Sequence, residues 1–144
     1  MEDKVLGLLG LMRRAGAIAI GLDNTADAVR AGKARLILLA SDAAENARRK
    51  AENLANGRSA LIVALPYERE RLAACLGVSG CSVAAVTDLG FANALMKELS
   101  AKDAEQYAAA LQEIERRFTK AVRRKRETAA RGGTKRNVKR RKEV

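Results

Sequence analysis

Asp23, Asn24 and Asp27 crowd the first turns of a helix-forming stretch that opens just after Gly21. Acids at a helix start complement the positive end of its dipole. They also suit base recognition. A carboxylate or amide oxygen accepts hydrogen bonds from the N–H groups on a purine edge, and free backbone N–H groups at a helix start hold a phosphate. Candidate phosphate-holding cations on the body are Arg13, Arg14, Lys33 and Arg35, with Arg48, Arg49 and Lys50 further along. Each alone is also an ordinary solvated surface charge.

Other chemistries lack their residues. The 144-residue chain has no histidine, which removes imidazole acid–base catalysis, His-paired nucleophiles and zinc sites with His ligands. Cys75 and Cys81 have neither zinc-ribbon nor C-x-x-C spacing. They are expected to be buried or half-buried packing residues. Gly7-x-x-Gly10 and Gly77-x-x-Gly80 are not nucleotide-binding fingerprints, and the second pair suits a tight turn. No enzymatic activity, metal or cofactor is expected.

The net charge of +11 is unevenly held. Residues 1–115 carry 14 basic and 15 acidic side chains, whereas residues 116–144 carry 14 basic and two acidic ones, Glu127 and Glu143. A nearly neutral body followed by a cationic end points to a polyanionic partner. Candidate sequence-independent phosphate contacts are Arg123, Arg124, Lys125, Arg126, Lys135, Arg136, Lys139, Arg140, Arg141 and Lys142. Ala129 to Val144 has almost no apolar residues and is expected to be disordered when free. It lacks the apolar anchors of a membrane-surface helix, and no apolar run approaches the roughly 18 residues of a membrane span. The N-terminus lacks the basic start of a signal peptide, so a soluble cytoplasmic protein is expected. Tyr67, Phe91, Tyr107 and Phe118 are too scattered to stack single-stranded bases, with Phe91 and Phe118 reading as core. A shaped, folded RNA is the better match.

The elements that must position these residues follow from periodicity. Val5, Leu8, Leu9 and Met12 have helical spacing, closing near Gly16. A short apolar stretch, Ala17 to Ile20, precedes a helix over 22–31, with Leu22, Ala26 and Val29 on one face and Gly32 as its stop. Arg35 to Ala40 is a continuous apolar run, as a strand covered on both faces requires. Asp42-x-x-Glu45 reads as a capping box for a helix to about Asn56. Ser59 to Leu65 is a strand, Tyr67 to Leu76 a short charged helix, 77–80 a loop, and Cys81 to Val86 the last strand. Asp88 caps a helix through Leu99. Ser100-x-x-Asp103 reads as a second box, opening a long helix whose stripe is Ala104, Tyr107, Ala108, Leu111, Ile114, Phe118 and Val122. That stripe packs either on the body or on a partner. The fold class is α/β: a three-layer α-β-α sandwich with a mixed four-stranded sheet, then a long C-terminal helix and a disordered basic tail. The expected boundaries are 1–100 for the sandwich, 101–128 for the helix and 129–144 for the tail.

Four stretches carry a resemblance. They are Leu6 to Gly16 (LGLLGLMRRAG), Gly21-Leu-Asp-Asn24, Ala31 to Asp42 (AGKARLILLASD) and Val83 to Ala92 (VAAVTDLGFA). In this order they resemble the large-subunit ribosomal protein family L-seven-Ae / L-thirty-e, in its bacterial YlxQ-like branch, over about residues 4–99. The resemblance implies a small non-enzymatic protein that clamps sharply bent, kink-turn RNA at tandem sheared G·A pairs. The family's Gly-x-Asn-Glu-x-x-Lys signature falls on Gly21, with Asp23 at the asparagine position, Asn24 at the glutamate position and Asp27 at the lysine position. The family's RNA-covering loop corresponds to Gly77, Val78, Ser79, Gly80 and Cys81. The expected partner is structured RNA, ribosomal RNA included, in a ribosome- or translation-associated ribonucleoprotein, with the tail adding non-specific phosphate contacts. The competing expectation is a protein–protein module that docks on the ribosome or another partner through the C-terminal helix.

Overall fold

A computed structural model describes residues 3–130 in full and, of residues 131–143, the helical backbone. The elements in order are α1 (Lys4–Ala15), β1 (Ile18–Ile20), α2 (Leu22–Arg30), β2 (Leu36–Leu39), α3 (Glu45–Ala55), β3 (Leu61–Ala64), α4 (Arg69–Leu76), β4 (Val83–Val86), α5 (Leu89–Lys102) and α6 (Ala104–Glu143). The disorder expected over 129–144 falls almost wholly beyond the fully described residues.

The four strands form one mixed sheet in the order β1-β4-β2-β3, with β2 parallel to β3 and β4 antiparallel to both β1 and β2. The two central strands, β2 and β4, are buried at every position. Their unbroken apolar runs follow from that, because side chains alternate between two covered faces. Leu36 and Leu38 pack with Val5, Leu9, Met12, Leu95 and Leu99, whereas Ile37 and Leu39 pack with Ala28, Val29 and Ala51. Helices α1, α4 and α5 thus cover one face and α2 and α3 the other, giving the expected sandwich. Cys81 is buried and Cys75 half-buried, both as free thiols.

Helix α6 returns along α5 and covers the β3 edge. The Tyr107 hydroxyl donates to the Ala64 carbonyl at one end of β3. Arg117 Nη1 donates to the Ser59 carbonyl, just before the other end, at 2.5 Å. Tyr107 and Ile114 are buried, and Leu111, Phe118 and Val122 are half-buried, while Ala104 and Ala108 are exposed. The stripe is therefore turned to the chain's own body, and an edge strand open to foreign pairing is shielded.

Two capping expectations need correction. Asp42 does not cap α3, whose N-cap is Ala44 without a side-chain bond. Its Oδ1 instead accepts from the Arg69 backbone N–H at 2.7 Å, at the start of α4. The local Asp-x-x-Glu spacing mimicked a box, but the acceptor serves a helix 27 residues away. Likewise, Ser100 lies inside α5, and Asp103 alone opens α6 by accepting from the Gln106 N–H at 3.1 Å.

Asp3 ties three elements together. Its Oδ1 accepts from the Val5 and Leu6 N–H groups, its Oδ2 accepts from the Tyr67 hydroxyl at 2.6 Å, and Lys102 Nζ lies 3.2 Å from the same oxygen. Burial pushes its carboxyl up, but the Tyr67 hydroxyl, Lys102 and the two amides outweigh that and hold it below its ordinary value of 3.8. A lowered carboxyl stabilises the fold fully above its unfolded value, and that contribution disappears as pH falls through the folded one. Asp3→Ala is expected to cost about 1–2 kcal/mol at neutral pH, through the lost cap and an unanswered Tyr67 hydroxyl. It should also flatten the stability profile below about pH 4. Urea melts at several pH values check both.

Candidate nucleic-acid interface

Gly21 has φ 94° and ψ 160°, a region that only glycine occupies without strain. The turn lets the chain leave β1 and enter α2 at once. The Gly21 N–H donates to the Val83 carbonyl at 2.9 Å, and its own carbonyl accepts from the Thr25 N–H at 2.9 Å. No side chain caps α2, so its first N–H groups are not taken up by a capping residue. A Cβ at Gly21 would meet nothing within 4 Å. The need for glycine is therefore one of backbone angle, not space. Gly21→Ala should cost about 1–3 kcal/mol through that strain, read by denaturant titration.

Because Gly21 is bonded to Val83, the start of α2 and the segment entering β4 stand side by side. Together they line a cavity of about 720 Å³ with Leu22, Asp42, Ala47, Glu68, Arg69, Glu70, Ser79, Gly80, Cys81 and Ser82. Asp23 and Asn24 follow on the first turn of α2 and are exposed, Asp23 lining the neighbouring groove between α2 and α3 with Arg30, Lys50 and Arg58. Asn24 Nδ2 donates to the Ile20 carbonyl at 2.8 Å, which fixes the side chain and leaves Oδ1 as an acceptor. Asp27 is exposed one turn on and lies 4.0 Å from Arg30, a surface pair of little energetic weight.

The expected 77–81 loop divides. Ser79 and Gly80 are exposed beside Gly21, whereas Cys81 is only 3% exposed and its side chain belongs to the core. Burial pushes its thiol up. Gly77 ends α4 in the left-handed conformation, and Val78 is half-buried against the core. Arg13 donates to the Leu76 carbonyl and lies beside Gly77, so it braces the base of the loop. Arg14 is directed elsewhere, to a groove shared by α1, α4 and α5 with Leu11, Arg71 and Lys97.

Lys33 and Arg35 are not brought to this rim. The Arg35 N–H bonds the Val86 carbonyl and the Lys33 N–H the Ala28 carbonyl, whereas Gly21 bonds Val83. The strand β4 separates them, which puts both cations at the opposite end of the sheet. Conversely, sequence reasoning missed Asp42 and Arg69, which pair at 3.4 Å in the cavity wall. The Arg69 amide, then its guanidinium, hold the Asp42 carboxyl below its ordinary range. Only the high charge density of 67–71 hinted at their role.

The geometry now bears comparison with known proteins. The family model for the ribosomal protein L7Ae/L30e/S12e/Gadd45 family matches residues 3–96. The chain belongs to this family. The L7Ae/L30e match spans the sandwich from Asp3 into α5 and leaves α6 outside. The chain is 36% identical over 96 residues to the RNA-binding protein YlxQ of Bacillus subtilis (strain 168), covering 64% of this chain and 91% of that protein. It is also similar to a solved protein of unknown function from Bacillus halodurans C, with a TM-score of 0.63 and 28% identity over 69% of this chain and 99% of that one. Among the described residues of this L7Ae/L30e member, no helix is long and apolar enough to cross a membrane.

Proposed function

We propose that the chain is a non-enzymatic, cytoplasmic RNA-binding protein of a translation-associated ribonucleoprotein, ribosomal RNA being its natural class of target. It recognises structured, kink-turn-like RNA through the α2 start and the 79–80 turn, and its cationic C-terminal segment adds sequence-independent contacts. The observation that carries this reading is the juxtaposition of Gly21 and Leu22, at the start of α2, with Ser79 and Gly80 around one cavity, with Asp23 and Asn24 following on the exposed first turn of the same helix. The start of α2 offers acceptors on a rigid helix, beside uncapped N–H donors. That combination suits a base edge and its adjoining phosphate. Membership of a ribosomal protein family and the RNA-binding relative support it.

Exposed aromatics are missing from the rim, which favours reading of shape over stacking of single strands. Docking on a protein through the α6 stripe is disfavoured, because Tyr107 and Ile114 are already buried against this chain. A gel-shift panel tests the proposal with a kink-turn RNA, the same RNA with its sheared G·A pairs changed, and a plain duplex. Preferential retention of the first is expected. Equal retention of all three would reject recognition of RNA shape.

A further inference from the structure

The two ends of the sandwich differ in what they present. Gly21, Val83 and Leu39 mark one end of the sheet, and Ala64 shares it through its pairing with Leu39. Tyr107 bonds Ala64 there, so α6 begins at the same end of the sheet as Gly21 but on its β3 side. It then runs towards the other end, where Arg117 bonds Ser59 and the Phe118 ring lies 3.7 Å from where a Cβ on Gly90 would stand. At that end the Arg35 carbonyl accepts from the Leu61 N–H, and Lys33 sits in an adjoining turn, whereas the Arg58 side chain bonds the Leu54 carbonyl and enters the groove it shares with Leu22 and Asp23. Lys33 and Arg35 are exposed. Of the carboxylates nearby, Asp88 caps α5 and Glu113 is held by Arg116 and Arg117, which lower its carboxyl to about 2, while Glu115 lies in the groove with Arg116, Lys120 and Arg123, where the cations outnumber it.

Beyond Phe118 the inward face fades and ends at Val122. The next positions in the stripe are Val122, half-buried, and Lys125, exposed. Residues 123–130 are exposed throughout and include Arg123, Arg124, Lys125 and Arg126. On the outward face, Arg116, Lys120 and Arg123 recur at i, i+4 and i+7, one row along the helix. From Tyr107 to Arg126 the helix rises roughly 30 Å at 1.5 Å per residue. The Debye length at physiological salt is about 8 Å. Arg123 to Arg126 thus lie about three screening lengths along the helix axis from the end of the sheet that carries Gly21.

We infer that the exposed cationic part of α6, with Lys33 and Arg35, forms a second RNA-binding surface at the far end of the sandwich, so that one chain bridges two RNA segments. The second segment is a duplex bound by its phosphates. Cations without exposed aromatics offer backbone neutralisation but neither stacking nor base readout. The inference rests on the proposed reading for its first site only.

The test uses the full chain and a variant with Lys120→Gln, Arg123→Gln, Arg124→Gln and Arg126→Gln, all at exposed positions. A kink-turn RNA with stems too short to reach α6 is immobilised and loaded with protein, and a labelled plain RNA duplex is added. The expected result is a ternary complex of one chain with both RNAs, its stoichiometry read by native mass spectrometry. The variant should stay on the immobilised RNA with its affinity changed less than about threefold, while duplex capture falls at least tenfold. The inference is overturned if the duplex displaces the protein from the immobilised RNA, if no ternary complex forms (as for a surface that binds protein instead), or if the variant captures duplex as well as the unaltered chain. Equal retention on an immobilised RNA with altered G·A pairs would count against the first-site reading alone, because duplex capture is scored separately.

Discussion

Replacing Asp23 and Asn24 together with alanine is expected to lower the preference for kinked RNA over its G·A-altered form by roughly tenfold to a hundredfold. The magnitude follows from the discrimination carried by a well-placed pair of base-edge hydrogen bonds, about 1–3 kcal/mol. Both side chains are exposed at the start of α2, and neither fills the core. Fold stability should therefore change little. Asn24 contributes one bond to the Ile20 carbonyl, so a small loss, about 0.5–1.5 kcal/mol, is expected from that bond. Binding to a plain duplex should be unaffected. Titration of the two RNAs against the variant, with a parallel urea melt, separates recognition from folding. If the preference survives intact, the α2 start is not the reading element.

The second large effect concerns charge. If about six C-terminal cations neutralise phosphates, the logarithm of affinity should fall with the logarithm of salt at a slope of roughly −4 to −5. Between 50 and 200 mM salt, that is a weakening of roughly 250- to 1,000-fold. Ending the chain after Val122 should remove most of the slope while keeping shape preference. The cut matters. The charge division alone suggests ending near residue 115, but that also deletes the Arg117 bond to Ser59 and the Phe118 packing against Gly90. A loss of binding would then mix undocking of α6 with loss of charge. An unchanged slope after the cut at 122 would show that the cations beyond it do not hold RNA.

What the sequence made legible depended on whether the governing interaction was local or repeated. The runs at 36–39 and 83–86 lie on central strands buried on both faces, so their apolar continuity was enough to identify them. The α6 stripe was equally plain, but periodicity could not say what it faces; the answer lies in the bonds to Ala64 and Ser59. Asp42 was misread because a local pattern competes with a long-range one, and the long-range partner, Arg69, carries no sequence signal. The candidate interface was half legible. Gly21 and the 79–80 turn meet as the family resemblance implies, because β1 and β4 are hydrogen-bonded neighbours. Lys33 and Arg35 are only 12 and 14 residues from Gly21 in sequence, yet α2 carries them down the full height of the sheet. Cys81 was placed with its loop, but burial as a small apolar side chain decided its position.

The most direct measurement is the ratio of dissociation constants for kink-turn RNA and its G·A-altered form, taken with the full chain at low and at high salt. Shape recognition by the sandwich predicts that both affinities fall together as salt rises while their ratio stays constant, because screening acts on phosphate contacts common to the two RNAs. A ratio that is one throughout, or that collapses to one as salt rises, would contradict it.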